Sequence, residues 1–238
     1  MGKVTFVLLV LACSLYSETS FGMNIAVYGD STSEGWQIEQ GIGHVTENNV
    51  PALLQKKIST AINDRVIVDN KAVGGTQASQ LFMGLDGKNK PWRDEMASSD
   101  ADIVVINFAL NDSFYFEQPK DGLASETPEA FRSVINEMVF VGKSFGKTVV
   151  LTQPNPTCEP IRSKSLARYV EALNSVAQEQ KVTIVRHFDE ISKQPDWRDK
   201  LSDCLHPTDE MYEDKANREY QVLLPVILDL ERSQIGTQ

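Results

Sequence analysis

Short apolar runs alternating with longer amphipathic stretches predict an α/β fold, with a parallel sheet covered by helices on both faces. Two observations carry that expectation. Five runs have the length and composition of strands: Ile25–Tyr28, Val66–Asp69, Ile103–Phe108, Thr148–Thr152 and Val182–Val185. Between and after them, apolar residues recur at helical spacing. Of the 238 residues, 41% are hydrophobic, enough to build one sizeable core.

Residues 1–22 read as an export signal outside that core. Lys3 gives a short basic start, and Val4 to Ala12 form an apolar run too short to span a bilayer. Ser20-Phe21-Gly22 places small residues where a signal peptidase cuts, leaving a chain from Met23. Alternatively, Val10-Leu11-Ala12-Cys13 resembles a bacterial lipobox, making Cys13 a lipid-anchored first residue. Translation starting at Met23 is a third, blander reading. The chain is thus expected to be periplasmic or secreted, with an outer-membrane lipoprotein as the alternative. No later segment reads as a membrane span.

The first strand, Ile25–Tyr28, breaks on Gly29-Asp30-Ser31, which places a hydroxyl at the carboxyl edge of the sheet. Val50–Ile62 follows as a helix through Leu53, Leu54, Ile58 and Ile62, leading into the strand at Val66. Gly84–Arg93 is polar and contains glycine and proline, and reads as a surface excursion. After Ile103–Phe108 comes a helix over Pro128–Phe145, with Phe131, Val134, Ile135, Met138 and Val141 on one face. Ser165–Gln178 repeats the pattern through Leu166, Val170, Leu173 and Val176, and Asp209–Leu230 closes the chain. No repeat or linker divides it, so residues 23–238 read as one domain.

Right-handed crossovers put every strand C-terminus on one edge. Loops leaving that edge begin near Gly29, Gly74, Asn111 and Asn155, and a fifth, Ser202–Pro207, precedes the last helix. The net charge of −10, with no basic cluster longer than Lys56-Lys57, argues against nucleic acid or an anionic membrane surface as partner.

A serine at that edge needs a base. Of the three histidines, His44 lies in a glycine-flanked loop and His187 follows an apolar run, reading as a packed or surface residue. His206 differs, because Asp203 stands three residues before it and Pro207 fixes the backbone after it. Asp-x-x-His in a tight turn can bring the carboxylate to one imidazole nitrogen and leave the other for a nucleophile. The alternative is an Asp–His pair capping the final helix. No metal ligand set appears at suitable spacing.

Together Gly29-Asp30-Ser31, Gly75, Asn111 and Asp203-Cys204-Leu205-His206 resemble, in order and rough spacing, the four blocks of the SGNH hydrolases, also called GDSL esterases. Asn70 to Gly75 is similar to the second block, Asn111-Asp112 to the third, and His206-Pro207-Thr208 with Tyr212 and Ala216 to the closing helix. Two positions depart from the pattern. Ala109 stands where Gly-x-Asn-Asp usually has its glycine, and its methyl is expected to narrow the pocket floor. Met211 replaces a frequent glycine, which is expected to change packing only.

The resemblance implies a three-layer α/β/α sandwich with a five-stranded, mostly parallel, flavodoxin-like sheet. It implies Ser31 as nucleophile, His206 as base and Asp203 as its orienter. The oxyanion would be held by the backbone N–H groups of Ser31 and Gly75 and by the Asn111 amide. No cofactor or metal is implied. Asp30 then reads as a loop-shaping carboxylate. Asn111-Asp112-Ser113 also matches a glycosylation sequon, read here as accidental because an amide aimed into a site cannot carry a glycan. Cys158 and Cys204 would both lie at the catalytic edge, and a disulfide pinning the histidine loop is expected.

For substrate, a short-chain carboxylic ester is expected, such as O-acetyl groups on a polysaccharide. A periplasmic thioesterase or lysophospholipase acting on longer chains is the alternative, and a non-catalytic glycan-binding relative a third. Phe114-Tyr115-Phe116 reads either as an acyl-pocket wall or as an aromatic cover for a loop. Trp36, Trp92 and Trp197 are similarly open.

Overall fold

A computed structural model describes residues 22–62 and 65–235. The signal reading of residues 1–22, Cys13 included, falls outside them except at Gly22. In chain order the elements are β1 (Met23–Gly29), α1 (Ser31–Glu34), β2 (Trp36–Glu39), β3 (Ile42–Val45), α2 (Val50–Ala61) and β4 (Val66–Asn70). Next come α3 (Ala78–Met83), α4 (Trp92–Ser98), β5 (Ile103–Asn107), α5 (Leu110–Glu117), α6 (Pro128–Ser144) and β6 (Thr148–Thr152). The chain closes with α7 (Leu166–Gln180), β7 (Thr183–Val185), α8 (His187–Ile191) and α9 (Asp209–Ile235).

The main sheet has the order β4-β1-β5-β6-β7, and every pairing in it is parallel. Numbered by appearance, its strands run 2-1-3-4-5, the flavodoxin-like order. The period of two sorts each strand between two cores. Ile25, Val27, Ile103, Val105 and Val150 face Leu54 and Ile58 of α2 and Leu223 and Ile227 of α9. Ala26, Tyr28, Val104, Ile106 and Leu151 face α3, α4, α6 and α7. The result is the expected three-layer α/β/α sandwich. Each fully buried aliphatic side chain contributes roughly 1.5–3 kcal/mol, so strands buried on both faces are long apolar runs by necessity.

Local chemistry sets the helix starts. Asn49 accepts from the Ala52 N–H at 3.0 Å to cap α2, and Thr127 accepts from the Ala130 N–H at 3.2 Å to cap α6. Each helix has proline in its first turn, where the missing N–H carries no penalty.

Two stretches differ from the sequence expectation. The excursion at Gly84–Arg93 ends in a core anchor: Trp92 is fully buried, donates to the Met138 carbonyl at 2.9 Å and meets Tyr28 edge-on. The second is an antiparallel hairpin, β2–β3, which places His44 in a strand rather than a loop. Its turn uses Gln40 and Gly41, both at positive φ. Asp209, at the start of α9, ties this hairpin down. Its carboxylate accepts from Gln37 Nε2 and Thr46 Oγ1 at 3.0 Å each and from Asn48 Nδ2 at 2.6 Å.

Asp209→Ala should therefore loosen the hairpin on α9, leaving the Tyr212 hydroxyl on the Trp36 carbonyl at 2.7 Å. A loss on the order of 2 kcal/mol for these bonds corresponds to a melting temperature roughly 4–8 °C lower. Limited proteolysis should accelerate at Gln40-Gly41 while Asp209→Asn, which keeps one acceptor, falls between. Unchanged cleavage at that turn would show that the hairpin is held by other contacts.

Candidate active site

The site is assembled from three neighbouring strands and one irregular loop. β4, β1 and β5 lie side by side, so the segments after them, carrying Gly75, Ser31 and Asn111, emerge together at the carboxyl edge. This is where strand order reverses, the point at which such sheets bind ligands.

Ser31 opens α1 directly after β1. The turn is tight: a Cβ on Gly29 would lie 2.5 Å from Ser33 Oγ and 2.7 Å from the Asn107 carbonyl. Asp30 is fully buried and caps α1, accepting from the Thr32 N–H at 2.8 Å and Thr32 Oγ1 at 2.9 Å. Burial raises its carboxyl above the usual range, against the Thr32 donors and the Lys215 charge. Its side-chain hydrogen bonds among the described residues go to Thr32 rather than to the His206 ring, whose charge it feels only at a distance, so the loop-shaping role fits its geometry.

Gly74 and Gly75 have different physical reasons to be glycine. A Cβ at 74 would sit 2.5 Å from Glu34 Oε2 and 3.5 Å from Ser31 Cβ, so the loop after β4 packs directly against the serine turn. At 75 there is open space, and the requirement is conformational, with φ at +77°.

Asn111 lies in the first turn of α5, 6% exposed, and its Nδ2 donates to the Thr76 carbonyl at 2.9 Å. Asp112 reinforces that link by accepting from the Ala78 N–H at 2.9 Å. At this burial the sequon at Asn111 is no surface acceptor. The methyl of Ala109 does not narrow a pocket floor, contrary to the sequence expectation. It is fully buried in the core, and the strain falls on the backbone, whose φ of 136° is a conformation glycine adopts readily. A residue held in such a sparse region costs about 1–3 kcal/mol. Met211 is buried against Ile191, Trp197 and Leu201, as a packing change would place it.

Ser31 Oγ lies 3.0 Å from His206 Nε2, and His206 Nδ1 lies 2.8 Å from Asp203 Oδ2. The other Asp203 oxygen accepts from the backbone N–H groups of His206 at 2.7 Å and Leu205 at 3.1 Å. Burial pushes this carboxyl up, but the His206 N–H and ring and the Leu205 N–H outweigh it and hold it below its ordinary value. With its oxygens occupied within the turn, Asp203 does not cap α9.

The turn is held from outside. Cys158 and Cys204 form a disulfide with Cα atoms 4.8 Å apart. The Cys204 carbonyl accepts from the Cys158 N–H at 3.0 Å and Thr157 Oγ1 at 2.6 Å. These contacts keep Cys204 in the left-handed region, at φ 67°, which disfavours a side-chain-bearing residue by roughly 1–2 kcal/mol. Asn155 Nδ2 donates to the Leu205 carbonyl at 3.1 Å, and the hairpin N–H of Ile38 donates to Ser202 Oγ at 3.0 Å. Trp36 of the same hairpin stands edge-on to His206, ring centres 6.5 Å apart.

Beneath the site lies a buried ionic layer that sequence reasoning missed. Lys215 is fully buried, with Nζ 3.4 Å from the Thr32 carbonyl and 3.2 Å from Asn155 Oδ1. Burial pushes its ammonium down to about 8, against Glu219 and Asp30. Glu219 meets His187 Nε2 at 2.9 Å, both buried, and burial lowers the imidazole despite that carboxylate. His187 is thus a packed histidine. Phe114, Tyr115 and Phe116 are half-buried. Phe114 lies under the Arg162 guanidinium at 4.2 Å, Tyr115 meets Phe114 edge-on, and Phe116 packs on Tyr169. Trp197 packs in the small core near Cys158.

With this geometry in place, comparison with known proteins identifies the family. The model of the GDSL-like lipase/acylhydrolase family matches residues 27–213. The chain belongs to that family. It is accordingly a carboxylic ester hydrolase. Solved structures agree on the fold. A lipase/acylhydrolase from Enterococcus faecalis is 18% identical with a TM-score of 0.67, covering 84% of this chain and 95% of its own. A G-D-S-L family lipolytic protein from Desulfitobacterium hafniense is 21% identical with a TM-score of 0.63, covering 84% and 99%. An acetylxylan esterase from Geobacillus stearothermophilus is 15% identical with a TM-score of 0.68, covering 85% and 94%. No curated protein sequence matches the chain.

One electrostatic consequence can be tested at Asp112. Burial, with the nearby Glu126 carboxyl, holds its pKa well above the ordinary value, and its Oδ2 has no donor among the described residues. A folded pKa raised above the unfolded value of about 3.9 gives stability that is complete below that value. It is lost as pH rises through the folded value. Asp112→Asn keeps an acceptor for the Ala78 N–H and removes the charge. Its melting temperature relative to wild type should climb as pH rises from 4 to 8, by roughly 2–4 °C for each kcal/mol, and the gap should close in acid. A gap independent of pH would refute the buried-charge account.

Proposed function

We propose that Ser31, His206 and Asp203 act as a nucleophile, base and orienter in a two-step acyl transfer from short-chain esters. The observation that carries the reading is the unbroken line of contacts, 3.0 Å from serine to histidine and 2.8 Å from histidine to aspartate, at the sheet edge. Ser31 Oγ attacks the ester carbonyl as His206 Nε2 takes its proton. Asp203 accepts from Nδ1, fixing the tautomer and steadying the imidazolium. His206 returns the proton to the departing alcohol, leaving an acyl-serine. Water then attacks, activated by the same imidazole, and releases the acid and Ser31.

The tetrahedral oxygen would be met by the backbone N–H groups of Ser31 and Gly75. Neither donates to a backbone carbonyl in the turns and loops of the described residues. Asn111 adds its second amide N–H, the first being taken by Thr76. Loss of one such donor typically lowers turnover by about 10²–10³-fold.

Short acyl groups, O-acetyl on a polysaccharide in particular, are the substrate class. Trp36, half-buried beside His206, puts an apolar ring next to the base for a sugar to meet, and Asp203 and His206 keep side-chain exposures of 25% and 13%, so the pair reaches the surface. Two of the structural neighbours are acetylxylan esterases. The Cys158–Cys204 disulfide supports export, with residues 1–22 as its signal and residues 23–238 as one catalytic domain.

An ester panel tests this directly. Nitrophenyl acetate should be cleaved faster than the octanoate, acetylated xylan should release acetate, and Ser31→Ala should abolish both. An optimum at eight carbons or longer would point to a thioesterase or lysophospholipase instead. Equal rates for wild type and Ser31→Ala would overturn the serine mechanism altogether.

A further inference from the structure

We infer that Arg162 is a positioning residue for the oxyanion site, locking the Asn111 amide with its nitrogen toward the reacting oxygen. The inference rests on the proposed role of Asn111 and extends it to a residue that no family block contains.

Arg162 stands in the loop between β6 and α7 and grips the first turn of α5 at three points. Its Nε donates to the Leu110 carbonyl at 3.1 Å, and a terminal nitrogen donates to Asn111 Oδ1 at 3.4 Å. Its guanidinium plane lies over Phe114, 4.2 Å from the ring centre. The side chain is 13% exposed. Glu159 holds the guanidinium from the other side, 3.2 Å from its second terminal nitrogen, and accepts from the Ile161 and Arg162 N–H groups at 3.0 and 2.9 Å. Burial raises the Glu159 carboxyl, but these donors and the guanidinium outweigh it and keep it ionised.

The chemistry of the partners removes any ambiguity in the amide. A guanidinium only donates, so it must face Oδ1; a peptide carbonyl only accepts, so Thr76 must face Nδ2. Turning the Asn111 amide over would set donor against donor and acceptor against acceptor. Without Arg162 the Thr76 contact alone, among the described residues, would oppose that rotation, and a flipped amide would present an oxygen to a developing oxyanion. Lysine cannot replace this grip, since its ammonium lacks the planar fork that reaches two acceptors and stacks on a ring.

The loop also explains why the position was invisible in sequence. Arg162 lies four residues after Cys158, so one short segment bonds to the histidine turn through sulfur and to the oxyanion turn through guanidinium. Glu159-x-x-Arg162 resembles an ordinary surface ion pair until α5 is seen beneath it.

A double-mutant cycle on nitrophenyl acetate tests the inference, with Arg162→Met, Asn111→Ala and their combination. Arg162→Met should lower kcat by roughly tenfold or more with KM within about twofold, and Arg162→Lys should not restore it. In the Asn111→Ala background the same change should lower kcat by less than about threefold, because there is no amide left to orient. Equal losses in both backgrounds, or a loss confined to KM, would overturn the positioning role. If Arg162→Met does not fold, Arg162→Gln carries the same comparison. Activity that survives Ser31→Ala would fail the site reading itself, whereas equal losses with an inactive Ser31→Ala would fail only the role of Arg162.

Discussion

The site depends on one carboxylate holding a turn that has no regular secondary structure. Asp203 uses one oxygen for the N–H groups of Leu205 and His206 and the other for the His206 ring. Backbone shape and ring orientation therefore come from the same group, which explains why Asp203 stands three residues before His206. At that spacing a single side chain can reach both its own turn and the imidazole. The stability from its depressed pKa is complete above the unfolded value and is lost as pH falls through the folded one, so turn geometry and ring orientation fail together in acid.

The sheet supplies what the turn cannot. Because β4, β1 and β5 are adjacent and parallel, three loops distant in sequence meet at one edge without any long connection. Beneath them runs a titratable layer of Asp30, Lys215, Glu219 and His187, buried where an all-apolar core would pack as well or better. Lys215 touches both the serine turn, through the Thr32 carbonyl, and the histidine support, through Asn155. The layer ties α9 to the two halves of the site, with Lys215 as its central contact.

Much of this was legible in residues and some was not, for physical reasons. Ile103–Ile106 and Val149–Leu151 are apolar on successive residues and rich in β-branched side chains, the pattern of a short strand covered on both faces. The helices of α2 and α6 announce themselves by caps and periodicity. The hairpin did not, because Trp36-Gln37-Ile38-Glu39 is only four residues long and its turn uses Gln40 in place of a standard asparagine or glycine. The polar, glycine- and proline-containing stretch Gly84–Arg93 reads as surface and leaves Trp92 open, because nothing in its neighbours shows that the indole reaches the core. At the site, residues belonging to short motifs could be read in advance. Arg162, Lys215 and Glu219 could not, since each acts through a partner more than thirty residues away in sequence.

That difference bears on how the two halves of the site stay aligned. Ser31 and Asn111 are placed by strands, whereas His206 is placed by a loop, and loops are ordinarily the more mobile partners. The segment from Asn155 to Arg162 closes that gap. It meets the histidine turn at Leu205 and Cys204 and meets the start of α5 at Leu110 and Asn111. A shift of one half is therefore transmitted to the other through eight residues of covalent chain. Positioning errors of about 1 Å can lower a rate about a hundredfold, so under the proposed mechanism a common brace would keep His206 in register with Ser31 and Asn111. Two half-buried aromatic rings lie against this frame, Trp36 edge-on to His206 and Tyr115 edge-on to Phe114, which Arg162 covers.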